Sequence, residues 1–273
     1  KDFSQPYYHD LLFDDAPGAN SMRNWYIEQS SGRYAVNGEV SDWVDVPFNE
    51  AYYGSNYCGG IVCARTWLFV QDSVNAWYNA QIAAGKTQAQ INADLAQFDK
   101  WDRYDYDGDG NFNEPDGYID HFQSIHAGVG EETGGGAQGT DAIWSRRWYA
   151  FYNLIGSAGP SGNPAGGIEI GESGMWIGDY TIEPENGGVG VFAHEFGHDL
   201  DLPDEYDTSG NAGPGTPTVQ DALRLSLNWH SGSPEGPAQI QAAINAVMAV
   251  SFGLARHVLV YRTVTESTAQ GSG

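Results

Sequence analysis

Residues 191–207 read V-F-A-H-E-F-G-H-D-L-D-L-P-D-E-Y-D, and the rest of the chain is organised around them. Val189, Val191, Phe192, Ala193, Phe196 and Leu200 form an apolar stripe at helical spacing, which puts His194 and His198 one turn apart on one helix face. Two imidazoles at i and i+4 can hold one zinc ion, with the Glu195 carboxylate beside it as a general base. A core helix that merely happens to carry two histidines would contain the same H-E-x-x-H string. The flanks favour the metal: Gly187 and Gly188 precede the helix, and a proline with several carboxylates follows within nine residues of His198. A helix that must stop abruptly and deliver a further ligand has this form.

Upstream, Ala142–Trp148, Gly167–Gly171, Met175–Ile182 and residues 118–126 read as strands, the strand at Met175–Ile182 feeding the Gly187-Gly188 turn. Residues 64–84 form a long amphipathic helix ended by Gly85, with Trp67, Val70, Val74 and Trp77 on one stripe. That aromatic stripe is core. A shorter helix covers 88–98. Residues 6–14 and 20–29 are also helical, the second capped by Asn20 or Ser21, with Met22, Trp25 and Tyr26 sharing a face. Alternation at Tyr34, Val36 and Val40 predicts one more strand. A sheet with a long helix behind it, leading to a metal-bearing helix, is α+β.

A second chemical signal is D-Y-D-G-D-G-N-F-N-E-P-D, residues 105–116. Asp105, Asp107 and Asp109 occupy positions 1, 3 and 5 of an EF-hand-like loop, Gly110 the sharp turn, and Phe112 the apolar anchor. Asn111 would contribute its carbonyl, and Asp116 stands at position 12, where glutamate is usual. Three carboxylates this close repel one another unless a cation neutralises them, so a solvated acidic turn is the costlier reading and calcium the expected ligand. Pro115 argues against an exiting helix, leaving an isolated structural loop. Glu131 and Glu132 are the place for a second calcium site. His121 and His126 read as structural histidines.

Composition bounds the rest. With 273 residues and 41% hydrophobic content, the chain can bury one substantial core, with room for a cleft between two subdomains. Its formal charge of −24, from 36 acidic and 12 basic residues, excludes nucleic acid and anionic membranes as natural partners. Residues 208–273 are neutral, so the whole excess lies in 1–207. Ile240–Ala255 is interrupted by Gln241, Asn245 and Ser251 and reads as a packed helix, so no membrane insertion is expected. The start at Lys1, without a leader pattern, reads as a processed product of an exported protein. Cys58 and Cys63, in C-G-G-I-V-C, are then a small local disulfide, with reduced thiols as the alternative.

The zinc stretch resembles the signature of the immune inhibitor A-type metallopeptidases, secreted bacterial zinc endopeptidases of metzincin-like build. Further segments are similar to that family: S-M-R-N-W-Y-I-E-Q-S-S-G-R-Y (21–34), D-R-Y-D-Y-D-G-D-G-N (102–111), E-P-D-G-Y-I-D-H (114–121), H-A-G-V-G-E-E (126–132) and D-A-I-W-S-R-R-W (141–148). These segments and their neighbours cover about residues 7–208. The resemblance implies a twisted mixed sheet with backing helices over 1–207, and a smaller, mostly helical or irregular C-terminal subdomain over 208–273. It implies hydrolysis of protein or peptide substrates by a monomer, with the substrate extended along the 142–148 edge.

The family pattern H-E-x-x-H-x-x-G-x-x-D places the third zinc ligand at Asp204, with Glu205, Asp207 and His230 as competitors. The family's turn glycine is replaced by Asp201, itself a further ligand candidate, and aspartate tolerates the left-handed backbone better than most residues. A methionine-bearing turn expected below the metal is represented by S-L-N-W-H-S-G-S (226–233), which lacks the methionine. Tyr206 reads as a core tyrosine, its alternative role being an oxyanion donor. The rival to an enzyme is a non-catalytic, calcium-stabilised binding or adhesive module that retains the metal motif. Glu195 speaks against it, because a structural zinc site has no use for that carboxylate and takes four protein ligands.

Overall fold

A computed structural model describes residues 1–55 and 64–202. Contacts divide the chain into two compact units, one of Lys1–Ser4 with Ser41–Gly187, the other of Gln5–Val40 with the chain from Gly188 onward. The boundary expected at 207/208, the C-terminal subdomain and both cysteines lie outside the described residues.

The first unit contains helices α3 (Glu50–Gly54), α4 (Ala64–Ala83) and α5 (Gln88–Leu95) and strands β1 (Gln123–His126), β2 (Arg146–Tyr149), β3 (Ile168–Glu169), β4 (Trp176–Ile177) and β5 (Asp179–Pro184). β5 is central in a three-stranded mixed sheet, parallel to β1 with Gln123 opposite Thr181, and antiparallel to β2 with Arg146 opposite Ile182. β3 and β4 form a separate antiparallel pair. Every residue of β5 is buried, so its polar side chains need internal partners. Asp179 takes Arg103 at 3.4 Å and also Arg147, while Glu183 accepts a hydrogen bond from the Gln123 amide at 3.2 Å. Trp67, Val70 and Val74 of the predicted stripe join Ile177, Tyr180 and Ile182 in one buried cluster, in which Tyr78 is also buried while Trp77 is only partly buried against it.

Gly85 ends α4 as expected. It has φ 89, its N–H reaches the Ile82 carbonyl, and the Lys86 N–H reaches that of Gln81, the double bond of a Schellman turn. α5 begins with a Thr87–Gln90 capping box and ends earlier than predicted, Ala96–Phe98 tightening into a 3₁₀ turn.

Three predicted strands are shorter in the structure, 167–171 keeping only Ile168–Glu169, and the strand predicted at 175–182 divides into β4 and β5. For the other two the destinations of the backbone groups explain the shortening. In 118–126 only the second half pairs regularly, because the Ile119 N–H goes to Trp176 and the Asp120 N–H to Phe98. In 142–148 the Ile143 and Ser145 amides donate to the carboxylates of Glu50 and Glu132 at 3.3 Å each, so the ladder starts at Arg146.

In the second unit the described helices are α1 (Gln5–Phe13), α2 (Met22–Gln29) and α6 (Val189–Asp199). Ser21 caps α2, its hydroxyl accepting from the Asn24 N–H at 3.1 Å. The strand predicted at 34–40 does not form. Side chains take its carbonyls instead: Arg23 donates to Val36 and Gln5 to Val40, both at 2.9 Å. The alternation there recorded the burial of Val36, not a ladder.

Candidate active site

Val189, Phe192, Ala193 and Phe196 are the buried stripe of α6, with the Tyr8 ring near Phe192 and the Tyr26 ring edge-on to Phe196. Burying each phenylalanine contributes about 1.5–3 kcal/mol. Tyr26 adds a polar tie, its hydroxyl donating to the Ala193 carbonyl at 2.7 Å. Burial, reinforced by Tyr34 and Asp199, holds that hydroxyl well above its usual pKa, so it stays a donor. α2 thereby grips α6 one residue before His194.

His194 and His198 lie half-buried on the opposite side of the stripe, and Glu195 is buried. The two imidazoles place their Nε2 atoms 3.1 Å apart, with ring planes at 81°. Two nitrogens bound tetrahedrally to zinc at its usual bond length would lie about 3.3 Å apart, so the pair fits that ion with almost no rearrangement. His198 Nδ1 donates to the Leu202 carbonyl at 2.8 Å, which leaves the lone pair on Nε2, the atom facing His194.

The end of the helix creates that carbonyl acceptor. The Leu202 N–H bonds the Gly197 carbonyl at 3.0 Å and the Asp201 N–H that of His198 at 2.9 Å, a Schellman turn with Asp201 at its left-handed position. Asp201 has φ 63, the conformation in which a glycine was expected. The next residues, including Asp204, Glu205, Tyr206, Asp207, His230 and 226–233, lie outside the described residues.

In the acidic loop, Asp105 has φ 49 and its carboxylate accepts the Gly110 N–H at 2.9 Å, while Asp107 accepts from Asp109 and Asp109 from Asn111. Two groups of carboxylates come within 4.8 Å of one another: Asp102 with Asp105 and Asp107, and Asp107 with Asp109 and Glu114. Asp102 and Glu114 were missed by the loop template. Asp102 lies three residues before the first position of the loop, and Glu114 accepts a hydrogen bond from the Asn111 side-chain amide at 2.6 Å.

Asp116 belongs to neither group. Its carboxylate accepts the Tyr118 N–H at 2.8 Å, and burial, with Asp99, Asp102 and Asp120 nearby, pushes it up to about 8. Glu131 and Glu132 are also outside both groups, and Glu132 accepts from the Ser145 hydroxyl at 2.8 Å. His126 is buried and its pKa is lowered to about 4 by desolvation.

Residues 1–253 match the catalytic domain of the immune inhibitor A peptidases, family M6. Over 243 residues the chain is 41% identical to Immune inhibitor A of Bacillus thuringiensis subsp. alesti, covering 84% of this chain and 32% of the relative. Over 235 residues it is 40% identical to Pre-pro-metalloprotease PrtV of Vibrio cholerae serotype O1, covering 83% of this chain and 24% of the relative. The chain thus spans a third or less of the curated relatives it matches. Among the described residues no helix is long and apolar enough to cross a membrane.

Proposed function

The chain belongs to the immune inhibitor A peptidase family M6, and from that premise we propose that it is a secreted zinc endopeptidase of metzincin-like build, acting on protein or peptide substrates. The observation that carries this reading is the His194–His198 pair, with the two Nε2 atoms 3.1 Å apart. Asp204 completes the ligand set. When bound, zinc supplies a Lewis acid that brings the pKa of a water to about 7 and polarises the scissile carbonyl.

This chain's own residues supply the remainder. The Tyr26 hydroxyl ties the helix at Ala193 and the Leu202 carbonyl holds the His198 ring, so that ring loses little conformational freedom when the ion is bound. Glu195 takes the proton of the attacking water and returns it to the leaving amine, which must depart neutral. The test is hydrolysis of denatured casein by the purified chain. Activity is expected to vanish on zinc chelation and to return with added zinc. Casein hydrolysis that survives stoichiometric removal of zinc would overturn the proposal.

The acidic loop is proposed as a structural calcium site in which Asp105, Asp107 and Asp109 hold the ion, with Asn111 and Asp116 as the remaining positions of the template. At free calcium about 100 times the dissociation constant, linkage adds about 2.7 kcal/mol to stability, so the melting temperature rises. The double variant Asp107→Ala with Asp109→Ala should lose most of that rise in a calorimetric scan. An unchanged response would move the stabilising site elsewhere.

A further inference from the structure

The chain contains two Asn-Gly pairs, Asn37-Gly38 and Asn186-Gly187, and both asparagines are exposed. In such a pair the glycine nitrogen can attack the asparagine side chain, because no Cβ blocks the approach and the glycine backbone is permissive. The reaction needs a backbone N–H that is not engaged, an electrophilic side-chain carbonyl, and an amide nitrogen free to depart. The structure meets these needs at one pair and not at the other.

At Asn186 the nitrogens are engaged. The Gly187 N–H donates to the Pro184 carbonyl at 2.8 Å. The side chain is held at both ends, Oδ1 accepting the Gly130 N–H at 3.2 Å and Nδ2 donating to the Thr133 hydroxyl at 3.3 Å. Attack would break the turn and release the departing amide from its partner.

At Asn37 the arrangement is the opposite. Residues 34–40 join no ladder. Among the described residues neither the Gly38 N–H nor the Asn37 Nδ2 has a hydrogen-bond acceptor. The Asn37 Oδ1 instead accepts from the Arg23 guanidinium at 2.8 Å. A cationic donor on that oxygen draws electron density from Cγ and stabilises the oxyanion formed when a nucleophile adds. Arg23 is itself placed, since the same Nη1 donates to the carbonyl of buried Val36 at 2.9 Å. A Cβ at position 38 would lie 2.7 Å from the Phe13 ring, so packing selects the glycine that the reaction needs.

We propose that Asn37 is a self-modifying site, which deamidates in the folded chain with Arg23 polarising its side-chain carbonyl. The Gly38 nitrogen gives up its proton and bonds to Asn37 Cγ. The Cγ–Nδ2 bond breaks, ammonia leaves with that nitrogen, and a cyclic imide remains. Water then opens one of the two imide C–N bonds, leaving aspartate or isoaspartate. Either product sets a carboxylate against Arg23, so an ion pair replaces a neutral acceptor. No step uses the metal or Glu195, so the site stands apart from the peptidase reading.

The test is incubation of the chain in mildly alkaline buffer with phenanthroline, which takes zinc and silences self-digestion. The peptides bearing Asn37 and Asn186 are followed by mass spectrometry. In the native chain Asn37 should convert at least about tenfold faster than Asn186, the scale of the hydrogen bonds that restrain the second pair. In urea the two should convert at similar rates. Arg23→Met should slow Asn37 by about tenfold, and Arg23→Lys, which keeps a cationic donor, should recover part of the rate. If neither variant folds, the comparison of the two pairs in the parental chain decides the site. An Asn37 that stays intact, or an Asn186 that converts as fast in the native chain, would overturn the site. Undiminished conversion in a folded Arg23→Met would overturn the part given to Arg23.

Discussion

Glu195→Gln is expected to keep its zinc and lose at least about 10²-fold in turnover, the scale on which removal of a general base acts. The substitution is nearly isosteric, and at a site that is only 6% exposed this matters, because truncation would add a packing defect to the chemical one. Glutamine keeps the volume and the ability to bond a neighbour but cannot accept a proton near neutral pH. Tyr26 fixes the helix at Ala193 and Leu202 fixes the His198 ring, and neither of these contacts uses the Glu195 carboxylate. Zinc content and melting temperature should therefore stay at parental values while kcat falls and KM changes little. Undiminished casein hydrolysis by the zinc-loaded variant would remove Glu195 from the reaction.

What the sequence made legible follows from how local each feature is. The His194–His198 geometry depends only on the helical repeat, which the apolar stripe of α6 already declares, and the end of α4 at Gly85 depends only on one residue's φ. Strand limits were less legible, because a strand exists only where another backbone pairs with it. The amides of Ile143 and Ser145 are taken by carboxylates distant in sequence, and the Val36 carbonyl by Arg23, which no alternation pattern reports. The bond from Tyr26 to Ala193 spans 167 residues and could be learned only from the fold. The acidic loop lies between these cases. Its run of carboxylates was plain, whereas the approach of Asp102 and Glu114 to that run, and the bond from the Tyr118 N–H to Asp116, come only with the fold. Glu50 and His126 are far apart in sequence and belong to no motif, so their meeting was invisible before the structure.

The largest remaining effect is expected at Asp204, the proposed third zinc ligand. Removing partners that only support a ligand lowers metal affinity by about 10–100-fold, so loss of a direct ligand in Asp204→Ala should exceed about 100-fold and abolish hydrolysis. The turn that precedes it makes the competing assignment testable. Asp201 holds φ 63, where a residue with a Cβ is strained, and it is exposed. If its role is to reverse the chain, Asp201→Gly should keep zinc and activity. It should also gain up to about 1 kcal/mol, since glycine enters the left-handed region without steric cost. The Schellman bonds to Gly197 and His198 use backbone N–H groups and survive the substitution, so the Leu202 carbonyl stays on His198. If its role is to bind the metal, the same change deletes a ligand, and zinc content falls with activity. Measuring bound zinc and casein hydrolysis in both variants separates the two: retention in Asp201→Gly with loss in Asp204→Ala assigns the ligand to Asp204. The reverse result would put the metal on the turn itself, on the same residue that carries the backbone strain.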